Sequence, residues 1–140
     1  MLLHTVYPGL GGAGTVAISI INTLIKKKIK IKNHICFFGK ENINKEFLRS
    51  LNKKVSYSNV KYFSFLVGNV KFLNILFKIK PNKIFMHNYL ILPILIYKFF
   101  YDLEVFSIVH TDPKIIKEDY YKNIFFKLLL NLIFKYSNKI

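Results

Sequence analysis

Residues Gly9-Leu10-Gly11-Gly12-Ala13-Gly14 carry glycine at every fixed position of the spacing GxGxxG, with a fourth at position 12. Glycine at a strand-to-helix turn lets the backbone come close to a phosphate. The helix that follows presents unpaired N–H groups and the positive end of its dipole. This spacing is degenerate by itself. A dinucleotide site also needs an acidic residue closing the second strand, to hold the ribose. Here that strand closes as Phe37-Phe38-Gly39-Lys40, and Glu41 comes only after a glycine. The loop therefore reads first as a site for a phosphate-bearing ligand other than a dinucleotide. An NAD- or FAD-binding domain is the alternative, and a tight turn that only packs the first helix is the plainest reading.

Further chemistry rests on histidine. His110 follows the apolar run Val105–Val109, and His87-Asn88 follows Ile84–Met86, so both histidines close short apolar segments. An imidazole placed there can donate or accept a proton near neutral pH. Asp112, before Pro113, either caps the next segment or binds a hydroxyl. His4 and His34 lie within or at the start of apolar runs and read as structural. No two histidines have metal-ligand spacing, and the lone Cys36 forms no CxxC pair, so no metal site is expected. Nothing matches a nucleophile elbow or a pair of glycosidase carboxylates.

The 140 residues are enough for one domain with a full core, and the 52% hydrophobic content excludes a disordered chain. The net charge is +15, and all basic residues except Arg49 are lysines. Lysine lacks the planar fork that base readout favours, so nucleic acid is not an expected partner. Most of the charge reads as a solvated face, with an anionic membrane surface or a phosphorylated ligand as the sharper use. A single cysteine forms no intrachain disulfide. The N-terminus has no signal-peptide pattern, and no apolar stretch is uninterrupted over the length of a bilayer span. The reading is a cytoplasmic protein, with peripheral attachment at the inner face of the membrane as a further expectation.

The elements that must position these residues alternate. Strands are expected at Leu2–Tyr7, His34–Phe38, Val60–Phe65, Ile84–His87 and Val105–Val109. Helices are expected from Thr15, over Asn42–Leu51 with Asn42 as N-cap, and over Val70–Ile79, Leu90–Tyr101 and Asn123–Phe134. Apolar strands without period-two alternation, separated by helices, predict a Rossmann-like, doubly wound parallel sheet in three α/β/α layers. Ligands of such sheets bind beyond the carboxyl ends of the strands, where the glycine loop lies. Tyr136–Ile140 reads as the approach to a sixth strand. The last helix has a polar row at Asn123, Lys127, Asn131 and Lys135, which reads as a solvated edge or as a membrane-facing basic helix.

Gly11-Gly12-Ala13-Gly14-Thr15-Val16 after an apolar strand resembles the start of the family-four glycosyltransferases. Lys80-Pro81-Asn82-Lys83-Ile84 with His87 resembles their K-P-D-I-I-H-x-H segment, and Ser107-Ile108-Val109-His110 resembles their x-T-V-H-D strand end. Tyr136-Ser137-Asn138-Lys139-Ile140 is similar to the lead into their next strand. The order and spacing agree over essentially the whole chain. Two departures are Gly14, where the family often has Glu or Arg, and Thr111, which separates His110 from Asp112.

The resemblance implies a retaining enzyme of the GT-B fold that moves a sugar from a UDP- or GDP-sugar to a glycan or lipid-linked acceptor, without a metal, in cell-surface polysaccharide or glycolipid synthesis. It implies that Gly11, Gly12, Ala13 and Gly14 face the donor phosphates and sugar, and that His110 is the catalytic residue, contacting the transferred sugar or helping to position the acceptor. His87, Asn88 and Asp112 would lie on the acceptor side. It covers only the N-terminal, acceptor-side domain, residues 1–140. The donor-binding C-terminal domain would come from elsewhere, for example a separately encoded chain, and these residues alone are expected to be inactive. A non-catalytic basic membrane-binding module is the remaining alternative.

Overall fold

The computed structural model describes residues 1–8, 11–88, 90–108 and 124–137. Five strands, β1 (Leu2–Val6), β2 (Asn33–Gly39), β3 (Ser56–Lys61), β4 (Lys83–Met86) and β5 (Glu104–Ser107), alternate with the helices α1 (Gly12–Lys26), α2 (Lys45–Ser50), α3 (Phe65–Ile79) and α4 (Ile91–Phe100). A fifth helix, α5 (Ile124–Tyr136), follows β5. The strands form one sheet in the order β3-β2-β1-β4-β5, and every neighbouring pair is parallel. This is the doubly wound α/β architecture that the alternation predicts.

Side chains of β1 alternate between two cores. Val6 packs with Ile35 and Phe37 against Ala17 and Ile21 of α1 and Phe47 of α2. Leu3 packs on the opposite face with Ile84, Met86 and Val105 against Phe72 and Leu76 of α3, Ile91 and Ile94 of α4, and Leu129 and Ile133 of α5. Every residue of β1 and β2 is buried, so neither strand shows alternation in its sequence. Cys36 sits inside this core, and burial pushes its thiol up to about 12. It is a packed apolar group and not a nucleophile at neutral pH.

Several boundaries differ from expectation for physical reasons. β3 runs over Ser56–Lys61, four residues ahead of the apolar cluster that suggested Val60–Phe65. It is an edge strand with mostly exposed side chains, and its identity comes from backbone pairing with β2, His34 opposite Ser56 through Gly39 opposite Lys61. His34 fastens that pairing, since its Nδ1 lies 2.8 Å from the Ser56 hydroxyl and its Nε2 lies 3.0 Å from that of Ser58. The structural role expected for His34 is what the geometry gives.

Helix α1 begins at Gly12, three residues before Thr15. Gly12 and Gly14, which read as loop, thus lie in its first turn, where N–H groups need no helical partner, and Gly11 is its N-cap. Helix α2 is capped by Asn44 and not by Asn42. The Asn44 Oδ1 accepts from the Glu46 N–H at 2.8 Å and the Phe47 N–H at 3.3 Å, while the Asn42 Oδ1 accepts from Lys61 Nζ at 2.9 Å. Replacing Asn44 with alanine is expected to cost about 1 kcal/mol. A lower urea midpoint at unchanged slope is the readout; an unchanged midpoint would contradict the cap. Helix α3 begins at Phe65, five residues before Val70, with the Ser64 hydroxyl accepting from the Val67 N–H. Tyr136 closes α5 and does not open a strand, and the Ser137 N–H still donates back to the Ile133 carbonyl at 3.0 Å. Residues 138–140 lie outside the described residues.

Candidate functional site

Because β2 and β3 lie on one side of β1 and β4 and β5 on the other, the direction of winding reverses between β1 and β4. Helix α1 leaves β1 on one face of the sheet, and α4 leaves β4 on the other. The crevice between them, beyond the carboxyl ends of the two strands, is where ligands of such sheets bind. The chain places its glycine-rich turn, His87 and Asn88 there.

Gly11 is the N-cap of α1 and offers no side chain to the first turn. Its carbonyl takes the Gly14 N–H at 3.0 Å and the Thr15 N–H at 3.3 Å. No acidic residue stands in this turn, and Gly11 and Gly12 are exposed. The glycines of the run differ in what requires them. A Cβ on Gly14 would run into the Phe47 ring, so that glycine lets α1 approach α2. A Cβ on Gly11 or Gly12 would meet nothing within 4 Å, and no described glycine has a positive φ. Neither packing nor backbone conformation calls for glycine at these two positions. What glycine leaves there is a bare helix N-terminus with open donors and the positive dipole end, an arrangement suited to phosphate.

On the β4 side, the His87 N–H donates to the Thr5 carbonyl at 3.2 Å, carrying the ladder one residue beyond the strand. The Thr5 hydroxyl donates to Asn88 Oδ1 at 3.0 Å, which ties the ends of β1 and β4 across the switch point. Asn88 is buried, and its Nδ2 has no partner among the described residues. Its amide group is held in one orientation by Thr5 while its donor stays open for a ligand or a water.

His87 stacks on His4 with ring centroids 5.8 Å apart, and His4 also packs on Phe85 at 5.3 Å. Neither ring nitrogen of His4 has a hydrogen-bond partner among the described residues. Burial, with a further contribution from the nearby His87, pushes its pKa down to about 3. His4 is therefore neutral at physiological pH and acts as a flat packing surface beneath His87.

Gly11, Gly12, Ala13 and Gly14 thus come together with His87 and Asn88 at one end of the sheet. His110 and Asp112 lie outside the described residues. The pairing of β5 with β4 continues past the strand through the Ile108 N–H to the Met86 carbonyl at 2.9 Å. Sequence reading missed Thr5 as the partner of Asn88. The available signal was a polar residue at the exit of an otherwise apolar strand. It also missed a cleft beside the glycine turn, lined by Tyr7, Pro8, Gly11, Gly39, Lys40, Glu41 and Tyr62. These residues are brought together by the ends of three strands and share no sequence pattern.

No protein-family model matches the chain, and no curated protein sequence matches it. Solved structures do. The apo form of a lipopolysaccharide outer core galactosyltransferase, WaaB, superposes with a TM-score of 0.59 at 22% identity, over 76% of this chain and 32% of that one. A glycosyltransferase from Rickettsia africae ESF-5 gives a TM-score of 0.47 at 14% identity, over 88% of this chain and 33% of that one. The chain spans about a third of the length of each. The first likeness defines the class of fold: a Rossmann-like α/β sheet of the kind found in GT-B glycosyltransferases.

Proposed function

We propose that this chain is the N-terminal, acceptor-side domain (residues 1–140) of a retaining glycosyltransferase of family four. The observation that carries the reading is the pair Gly11 and Gly12, two glycines that neither packing nor conformation requires, at the N-terminus of α1 and at the switch point. Their N–H groups, with that of Ala13, would hold the diphosphate of a UDP- or GDP-sugar, and Gly14 would keep the helix close enough to present them. The domain would stabilise the charge that develops on the departing diphosphate through fixed N–H dipoles, and no metal is invoked.

His87 and Asn88 would face the acceptor, and His110, with Asp112 beyond it, would close the site around the transferred sugar. The acceptor would be a glycan or a lipid-linked sugar, in cell-surface polysaccharide or glycolipid synthesis. A separate C-terminal domain would hold most of the donor, so transfer depends on two domains positioning their substrates together. Action at the inner face of the membrane fits such acceptors.

The test is to follow backbone amides of the 15N-labelled chain while titrating UDP- and GDP-sugars. Shifts concentrated at Gly11, Gly12, Ala13 and Asn88 are expected. Saturable micromolar binding of NADH at the same amides, without response to nucleotide sugars, would replace this reading by the dinucleotide one. Sugar transfer by the 140 residues without a second domain would contradict the division of labour.

A further inference from the structure

A second surface stands at the same end of the sheet as the glycine turn. Helix α3 buries Gly68, Phe72 and Leu76 against the sheet. Its opposite side, over the first two turns, is apolar too, with Leu66, Val67 and Val70 exposed, and Phe63, which precedes the N-cap Ser64, adds a further exposed apolar side chain. Phe63 is 93% exposed, Leu66 75%, Val70 54% and Val67 48%. A stripe of this kind is uncommon on a surface that meets only water.

Its surroundings are cationic. Between Glu46 and Asp102 the sequence has nine Lys or Arg and no acidic residue. Lys61 and Lys71, both exposed, border the stripe. Their ammonium groups bond to neutral oxygens, Lys61 to Asn42 Oδ1 and Lys71 to the Lys61 carbonyl, and neither forms an ion pair among the described residues. Tyr62, next to Phe63, lines the cleft that also contains Gly11, Lys40 and Glu41.

We propose that the Leu66, Val67 and Val70 face of α3, with Phe63 ahead of its N-cap, rests on an anionic lipid surface, with Lys61 and Lys71 at the headgroups and the apolar side chains among the acyl chains. An apolar face bordered by lysines is the composition of interfacial helices, for which hydrophobic burial and attraction to anionic lipid act together. Lipid contact at this place would set the cleft beside the glycine turn at the membrane surface. The proposal deepens the membrane placement given above, and its test reads lipid binding without nucleotide or sugar, so its failure and that of the proposed reaction are distinguishable.

Co-sedimentation with vesicles of mixed phosphatidylcholine and phosphatidylglycerol, against vesicles of phosphatidylcholine alone, tests it. The chain is expected to bind the anionic vesicles and to be released as salt rises. The double variant Phe63→Ser/Leu66→Ser is expected to bind roughly tenfold or more weakly, the loss of two inserted apolar side chains. Both positions are exposed, so circular dichroism and urea unfolding should match wild type, and the amide shifts with nucleotide sugars should persist. Equal binding to both vesicle types, or undiminished binding by the double variant, would overturn the proposal. So would a wild-type chain that ignores lipid but self-associates through this stripe. Loss of binding in Ile124→Ser/Leu128→Ser with none in the α3 variant would place the contact on α5 and overturn it equally.

Discussion

Gly12→Ala should separate binding from folding. The variant is expected to be as stable as wild type, or up to about 1 kcal/mol more stable, because alanine is the better helix residue and the added methyl meets no neighbour. Its affinity for a nucleotide diphosphate should nonetheless fall by roughly tenfold to a hundredfold. That is the worth of one charge-assisted hydrogen bond, about 1.5–3 kcal/mol, lost when the methyl group holds the phosphate off the N–H row. Gly14→Ala should do the reverse. Its Cβ drives into the Phe47 ring between α1 and α2, an overpacking that costs about 1–3 kcal/mol. The N–H groups of Gly12 and Ala13 would remain available in whatever fraction stays folded. Urea unfolding and calorimetric titration with UDP and GDP, run on both variants, give the two readouts. A Gly12→Ala chain that binds as tightly as wild type would remove the assignment of this turn to phosphate.

That contrast was only half legible in the sequence. The spacing Gly9–Gly14 announces a close approach of backbone to something, but the run does not say which glycine serves the ligand and which serves the fold. Gly14 is explained only by Phe47, which lies on another helix more than thirty residues away. The parallel sheet and its strand sequence were readable because buried parallel strands are unbroken apolar runs, as in Ile35–Phe38 and Ile84–Met86. β3 was misplaced for the same reason. Ser56–Lys61 is an edge strand with little apolar content, and its pairing with β2 is written in backbone register.

The start of α3 was hidden by the outward residues Leu66, Val67 and Val70, which blur a pattern that otherwise marks only the buried side. Those same outward residues make up the surface for which lipid contact is proposed. The Thr5–Asn88 bond and the stacking of His4 on His87 join residues more than eighty positions apart. Only the order β1-β4 in the sheet brings them together, and no local spacing encodes it.

His4 carries the second large effect, a loss of stability in mild acid. Burial, first, and the neighbouring His87, second, hold its folded-state pKa at about 3, well below the ordinary value of 6.5. In the unfolded chain the imidazole takes up a proton as pH falls through 6.5, while the folded chain does not until about pH 3. Between those limits the unfolded state binds more protons, so stability declines as pH falls, by at most about 1.4 kcal/mol per pH unit from this group. Above pH 6.5 the contribution is flat. His34, whose pKa burial also lowers, adds a slope of the same sign.

His4→Phe should remove the His4 part. Phenylalanine keeps a flat ring against Phe85 and His87 and discards two ring nitrogens that have no partner among the described residues. Unfolding free energies from urea titrations over about pH 4 to pH 7.5 should show a shallower acid limb for the variant, with the two proteins most alike at the upper end. An acid limb as steep as wild type would mean that His4 is not the group that takes up the proton. Folded His4 stays neutral throughout that range, so it adds no charge near Asn88, and nucleotide-induced shifts at Asn88 should not differ between folded wild type and His4→Phe.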